Sequence, residues 1–329
     1  MTLQKENKMQ IALAVIDEEQ SEKFVKEAVK CGCRGGFIAP ARGLVTSELL
    51  NSLSLRERKR RIVLLIETID ILSPTLEHLN KTFKLDQPNH GILFTMNINH
   101  ALYPLANHIP DFTHFSSPYQ LILALFRHER RQTIVDIIQN HKARGGTIFT
   151  GKGGFVKEQT SFLGLHSSPQ KDVLLSVVIK DIVANIFQSI DQTFDISQSK
   201  GMMLQSLDVL AFSKAPQAHT FLSDEAPELS VLFMVMDAPL LETYRECIRK
   251  HGWRGGTAMK ASGTFNPDYI EHAFNMPINP EKRIVFTIDQ TSHIQTLYQA
   301  LFDDPKIDPS QHSVSFVVGV ENSYGVRHT

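Results

Sequence analysis

The chain has 329 residues, enough for roughly two domains of about 150 residues or three small ones. With 42% hydrophobic and 21% charged residues, 18 glycines and 15 prolines, its composition excludes a disordered, collagen-like or coiled-coil protein. The 34 Lys and Arg against 35 Asp and Glu leave a formal charge of −1, so no overall field attracts nucleic acid or an acidic membrane, and no nucleic-acid partner is expected.

From the N-terminus, the apolar run QIALAVI predicts a strand, and Phe24, Val25, Ala28 and Val29 repeat at helical spacing after it. That helix gives way to Arg34-Gly35-Gly36, a glycine pair of the kind that ends helices. A loop leads to RRIVLLIE, a second strong strand signal, then to the amphipathic LSPTLEHLNKTF and to a turn and strand in DQPNHGILFTMNI. Residues 101–118 carry Pro, His, Ser and Asp without periodicity and are expected to be a linker. The same succession then returns. LILALF, a helix carrying Ile134 and Ile138, Arg144-Gly145-Gly146 and the strand-like Thr147, Ile148 and Phe149 lead through a loop to KDVLLSVVI, IVANIFQSIDQTF and DISQSKGMMLQSL. After a linker over 213–228 come SVLFMVM, a helix with Tyr244 and Ile248, Arg254-Gly255-Gly256, KRIVFTI, HIQTLYQALF and DPSQHSVSFVVGV.

The three Arg-Gly-Gly triplets stand at equal steps of 110 residues, and Gly43, Gly153 and Gly263 follow in the same register. Each unit reads β-α-β-loop-β-α-β, the split βαβ or ferredoxin-like order. The expected class is therefore α+β, with three tandem ferredoxin-like sandwiches at 9–105, 118–214 and 228–329. Such a sandwich has both helices on one face of its sheet. The bare faces must be covered, and packing them on one another within one chain predicts an intramolecular pseudo-trimer that behaves as a monomer.

Several motifs carry possible chemistry. Glycine turns can aim backbone N–H groups at an oxyanion, and a lysine adds charge; Gly151-Lys152-Gly153-Gly154 and Lys200-Gly201 fit that description, with close strand crossing as the structural alternative. Gly146 to Lys152 matches the start of a P-loop, but Gly153 replaces the required Ser or Thr and the stretch is strand-like. Arg34, Arg144 and Arg254 suit helix C-termini, and so do His141 and His251, which share one register position with Cys31, where a metal site is the less favoured reading. The basic run Arg56 to Arg61 reads as a solvated loop base. No nucleophile and base stand in a recognisable constellation, so an enzyme is not expected. Cys31, Cys33 and Cys247 are too few for a disulfide framework, and IALAVI is too short to span a membrane, which together predict a cytoplasmic protein that is not membrane-embedded.

ARGGTIFTGKGG with FLGLHSSPQKDVLLSVV resembles the PII-like nitrogen signalling proteins, most closely their divergent short-loop members; GWRGGTAMKASGTF with INPEKRIVFTI follows, and the first unit, with Phe37 where the others have Thr147 and Thr257, is the least similar. The resemblance implies a signal-transduction protein that binds an adenine nucleotide or small anion between neighbouring units and acts through mobile loops on a target such as a transporter or enzyme. The loops are Gly43 to Arg58, Gly153 to Gln170 and Gly263 to Glu281. The ligand-binding residues it implies are Gly145, Thr147, Lys152 and Gly153 in the middle unit, Gly255, Thr257, Ser262 and Gly263 in the third, and, before the last strands, Gly91, Lys200 and Gly201, with Ser313 at that place in the third unit. The pair of arginines that well-known members carry after the last strand is absent; Arg327 alone stands in a comparable place. The alternatives are an interaction scaffold without ligand and a metal-binding trimer of the CutA type.

Overall fold

A computed structural model describes residues 8–45, 59–102, 116–143, 145–155, 160–162, 165–167, 170–196, 202–214, 227–251, 253, 255–264, 281–307 and 313–324. The fold is α+β: a 15-stranded antiparallel sheet, a two-stranded hairpin and, among the described residues, six α-helices.

The first segment contains β1 (Met9–Asp17), α1 (Ser21–Lys30), β2 (Gly35–Val45), β3 (Lys59–Thr68), α2 (Ile69–Phe83), β4 (Ile92–Asn97) and β5 (His100–Leu102). β1 lies between β3 and β4, and β2 pairs with β3, giving the order β4-β1-β3-β2. β1 divides its side chains as a strand must: Ile11, Leu13 and Val15 enter one apolar cluster, Ala12, Ala14 and Ile16 another. α2 starts three residues before the amphipathic run identified in the sequence, directly on leaving β3. Pro74 sits in its second turn, and the buried face of Leu72, Leu76, Leu79 and Phe83 holds the helix despite the lost N–H.

The second segment has β6 (Tyr119–Arg127), α3 (Arg131–Asn140), β7 (Thr147–Phe155), the hairpin β8 (Thr160–Phe162) and β9 (Leu165–Ser167), β10 (Gln170–Ile179), α4 (Val183–Phe194), β11 (Met203–Asp208) and β12 (Ala211–Phe212). Its order is β11-β6-β10-β7. The third comprises β13 (Leu229–Asp237), α5 (Leu240–Lys250), β14 (Gly255–Gly263), β15 (Glu281–Gln290), α6 (Thr291–Asp303), β16 (Ser313–Val320) and β17 (Ser323–Tyr324), in the order β16-β13-β15-β14.

Two sets of pairings join the segments. β2, β7 and β14 pair with one another. The short strands β5, β12 and β17 each pair with the last long strand of another segment: β5 with β11, β12 with β16, and β17 with β4. These three lie in or beside stretches whose sequence reads as linker or tail, because two or three residues are too few to show a period.

One apolar cluster draws on all three segments, including Leu13, Phe94, Leu123, Leu175, Phe233 and Phe286, and Phe94 meets Phe286 edge-on at 6.2 Å. Three further clusters lie between sheet and helices, one at each segment, that of the third also taking in Leu210 and Ala211 from the second. Where the sequence suggests a glycine-rich turn at Gly151 to Gly154, the backbone is strand: Gly151 pairs with Lys171, and Lys152, Gly153 and Gly154 lie opposite Ile38, Phe37 and Gly36. The reason is proximity. A Cβ on Gly151 would stand 2.3 Å from the Ile38 carbonyl oxygen, and one on Gly153, whose φ is +133°, would stand 2.1 Å from that of Gly36.

Two outcomes are expected. Gly153→Ala should lower stability by at least about 2 kcal/mol, from forced left-handed backbone and the close approach together, whereas Gly43→Ala, with open space around it, should move a urea midpoint little. Light scattering should report the mass of one chain, because the shared apolar cluster is already filled from within.

Candidate functional site

The head of β7 and the end of β10 form one side of a cleft of about 400 Å³, lined there by Gly145, Gly146, Thr147, Leu175, Ser176 and Val177. Gly145 has a φ of +128°. Its carbonyl accepts a hydrogen bond from Ser176 Oγ at 2.8 Å. Gly146 is clasped from the third segment: its N–H donates to Thr264 Oγ1 at 2.7 Å, and the Thr264 N–H donates back to its carbonyl at 3.0 Å. Any side chain at Gly146 would meet Leu174 Cδ1 at 2.8 Å.

The opposite wall comes from the end of β13, the head of β16 and β12 with the turn after it: Val235, Ser313, Val314, Phe316, Phe212 and Lys214. Gly263 at the end of β14 and Lys282 at the head of β15 complete it. The walls are mainly apolar, and the charged side chains in the lining are both lysines. Lys282 donates to the Asp237 carboxylate, which fixes the ammonium at the head of β15. Such a cleft can hold the apolar body of a small molecule and place its negative group near two cations.

A second, much smaller cavity of about 30 Å³ lies between the first and second segments, lined by Arg34, Gly35, Gly36, Phe37, Leu64 and Ile66 on one side and Leu123, Leu125 and Met203 on the other. Here the arginine has a partner built into the fold: the Arg34 N–H and Nε both donate to Glu67 Oε1, at 2.8 and 2.9 Å.

Of the residues singled out in the sequence, Gly145, Thr147 and Gly263 therefore meet in one cleft, and Ser313 joins them. Lys152 and Gly153 lie further along β7 against β2, with Lys152 exposed. Gly255 and Thr257 begin β14 and pair with Val45 and Gly43 of β2. Gly91 has a φ of +131°, and a Cβ there would stand 2.6 Å from the Val15 carbonyl oxygen. Lys200, Gly201, Arg144, Arg254 and Arg327 fall outside the described residues, as does most of the first and third loops and residues 56–58 of the basic run; its other half, expected as a solvated loop base, opens β3, where Arg60 and Arg61 pair with Asp17 and Glu18. Lys214 and Lys282 escape a sequence search: one sits in an apparent linker, the other is one of many charges that open strands.

Two other chemical clusters stand apart. Asp172, fully buried, accepts from Arg131 Nε at 2.6 Å and Thr150 Oγ1 at 2.7 Å, and His128 Nδ1 lies 3.0 Å away. Burial pushes its carboxyl up, but the hydrogen bonds from Arg131, Thr150 and His128 outweigh this and hold it below the ordinary 3.8. With Arg131 at the first residue of α3, the group ties that helix to β7 and β10. Of the thiols, Cys33 is pushed up to about 11 by burial, and burial raises Cys247 as well, so neither is an activated nucleophile. Among the described residues no group of three or more His, Cys, Asp or Glu is placed to hold a metal ion. No described helix is long and apolar enough to cross a membrane.

No family model matches the chain, and no curated protein matches it. Solved structures that align with it include a putative monooxygenase from Fusobacterium nucleatum, over 61% of this chain and 92% of that one, at 14% identity and a TM-score of 0.22. An aspartate kinase from Synechocystis aligns over 94% of this chain and 51% of its own length, at 8% identity and a TM-score of 0.25. At such scores neither likeness bears on fold or chemistry.

Asp172→Asn should cost about 2–4 kcal/mol at neutral pH, since it removes a buried charge on which three donors converge. The folded carboxyl titrates below its unfolded value, so its stabilisation is whole above about pH 5 and fades as pH falls through the folded value. Chemical unfolding of both proteins should therefore show a gap that shrinks below about pH 4.

Proposed function

We propose that the chain is three tandem ferredoxin-like sandwiches, residues 9–105, 118–214 and 228–329, closed into an intramolecular pseudo-trimer. On this reading it serves as a PII-like regulatory protein whose small anionic effector occupies the cleft between the second and third units. The strand order β4-β1-β3-β2 and its two counterparts, together with pairings that pass from each segment to another, support the architecture. The single observation that carries the functional reading is the convergence of Gly145 and Thr147 with Gly263, Lys214 and Lys282 on the 400 Å³ cleft.

The route from ligand to target would be short. Gly263 lines the cleft, and the next residue, Thr264, grips Gly146 across it at the start of the third loop. A ligand that prefers the clasped arrangement would shift the loop population by its differential affinity for the two states, and no more. A target such as a transporter or enzyme would then read the loop.

Thermal unfolding in the presence of ATP, ADP, AMP and cyclic AMP tests the reading. A nucleotide at 100 times its dissociation constant should add about 2.7 kcal/mol, a shift of several degrees. The absence of a shift with all four would remove the nucleotide-sensor reading and favour a scaffold that acts through its surfaces alone.

A further inference from the structure

The two described clefts occupy equivalent places and are built from unequal side chains. The head of β2 in one matches the head of β7 in the other, and the facing strands pair in matching register, Leu125 opposite Met203 and Val235 opposite Val314. At four matched positions the first cleft carries the bulkier group: Phe37 against Thr147, Ile66 against Val177, Leu125 against Val235, and Met203 against Val314. The volumes follow, about 30 Å³ against about 400 Å³. The first has room for about a single water. The polar groups differ in the same sense. Ser176 lines the larger cleft where the register places Leu65 in the first segment.

Resting on the cleft identified above, we infer that it is a site for one amphipathic anion, whose apolar body lies against Val177, Val235, Val314 and Phe316 and whose negative group meets Lys214 and Lys282, and that Phe37 and its three large neighbours close the equivalent cleft to the same ligand. Aromatic phosphates and sulfonates are the chemical class that fits. The asymmetry sets stoichiometry: of these two seams, one binds.

The probe is 8-anilinonaphthalene-1-sulfonate, an aromatic anion, followed by fluorescence and by titration calorimetry, with ATP in parallel and the uncharged N-phenyl-1-naphthylamine as control. Thr147→Phe with Val314→Met, which imports the bulk of the closed cleft, should remove one binding event per chain. Phe37→Thr with Met203→Val should add one. Lys214→Met with Lys282→Met should weaken the sulfonate about tenfold or more and leave the uncharged control within twofold. Circular dichroism and a cooperative unfolding transition confirm that each variant is folded, and the lysine pair, which leaves the apolar side chains of the walls unchanged, keeps the test alive if a repacked variant is not. Binding by the plugged protein equal to that of the wild type, an unchanged stoichiometry in the opened one, equal loss of both naphthyl probes in the lysine variant, or no binding of either anion would overturn the inference. Sulfonate binding that the plug abolishes, without any response to nucleotides, would leave it standing and sink the nucleotide effector instead.

Discussion

Everything in this molecule depends on covering an apolar sheet face. A strand such as β1 sends Ala12, Ala14 and Ile16 to the helices and Ile11, Leu13 and Val15 to the other side, where the segment's own helices do not reach. Left in water, each Leu- or Phe-sized side chain on that side would forgo roughly 1.5–3 kcal/mol. The three segments solve this jointly, contributing Leu13, Leu123 and Phe233 to one cluster. The pairings of β2, β7 and β14 and the three short exchanged strands follow from the same need, since faces that meet bring their edges within hydrogen-bonding reach.

That constraint explains the glycines better than a phosphate cradle does. Where β7 crosses β2, the backbones come so close that Gly151 and Gly153 leave no space for a Cβ. Yet the same closeness creates seams, and a seam that side chains do not fill becomes a cleft. Gly145 and Gly146 stand at such a place. Their backbone groups are tied by Ser176 and Thr264, so the cleft holds its shape by hydrogen bonds from both sides rather than by packing across it.

Much of the fold is legible in the sequence. The equal spacing of Arg34, Arg144 and Arg254 and apolar runs such as QIALAVI mark strands and helices that the structure contains. What the sequence hides is short or distant. β5, β12 and β17 have two or three residues each and no period to detect. The turn expected at Gly151 to Gly154 is strand, because its conformation is decided by Phe37 and Ile38 from more than 100 residues away. At the site, a short motif delivers Gly145 and Thr147, but Lys282 and Val314 reach them only through tertiary pairing, so no linear pattern could have placed them there.

A trimer of identical chains must repeat every substitution at all three of its seams. Joining the units in one polypeptide removes that restriction. Phe37 can close one seam while Thr147 keeps another open, and Glu67 can occupy an arginine in the first segment where the register puts the apolar Val178 in the second. Under the proposed pseudo-trimeric reading, the fused chain thus gains what symmetry forbids: of two equivalent seams, one is receptive and the other is filled as core. The side chain at the head of the second strand, Phe37 in one unit and Thr147 in the next, would then decide which of the two seams binds.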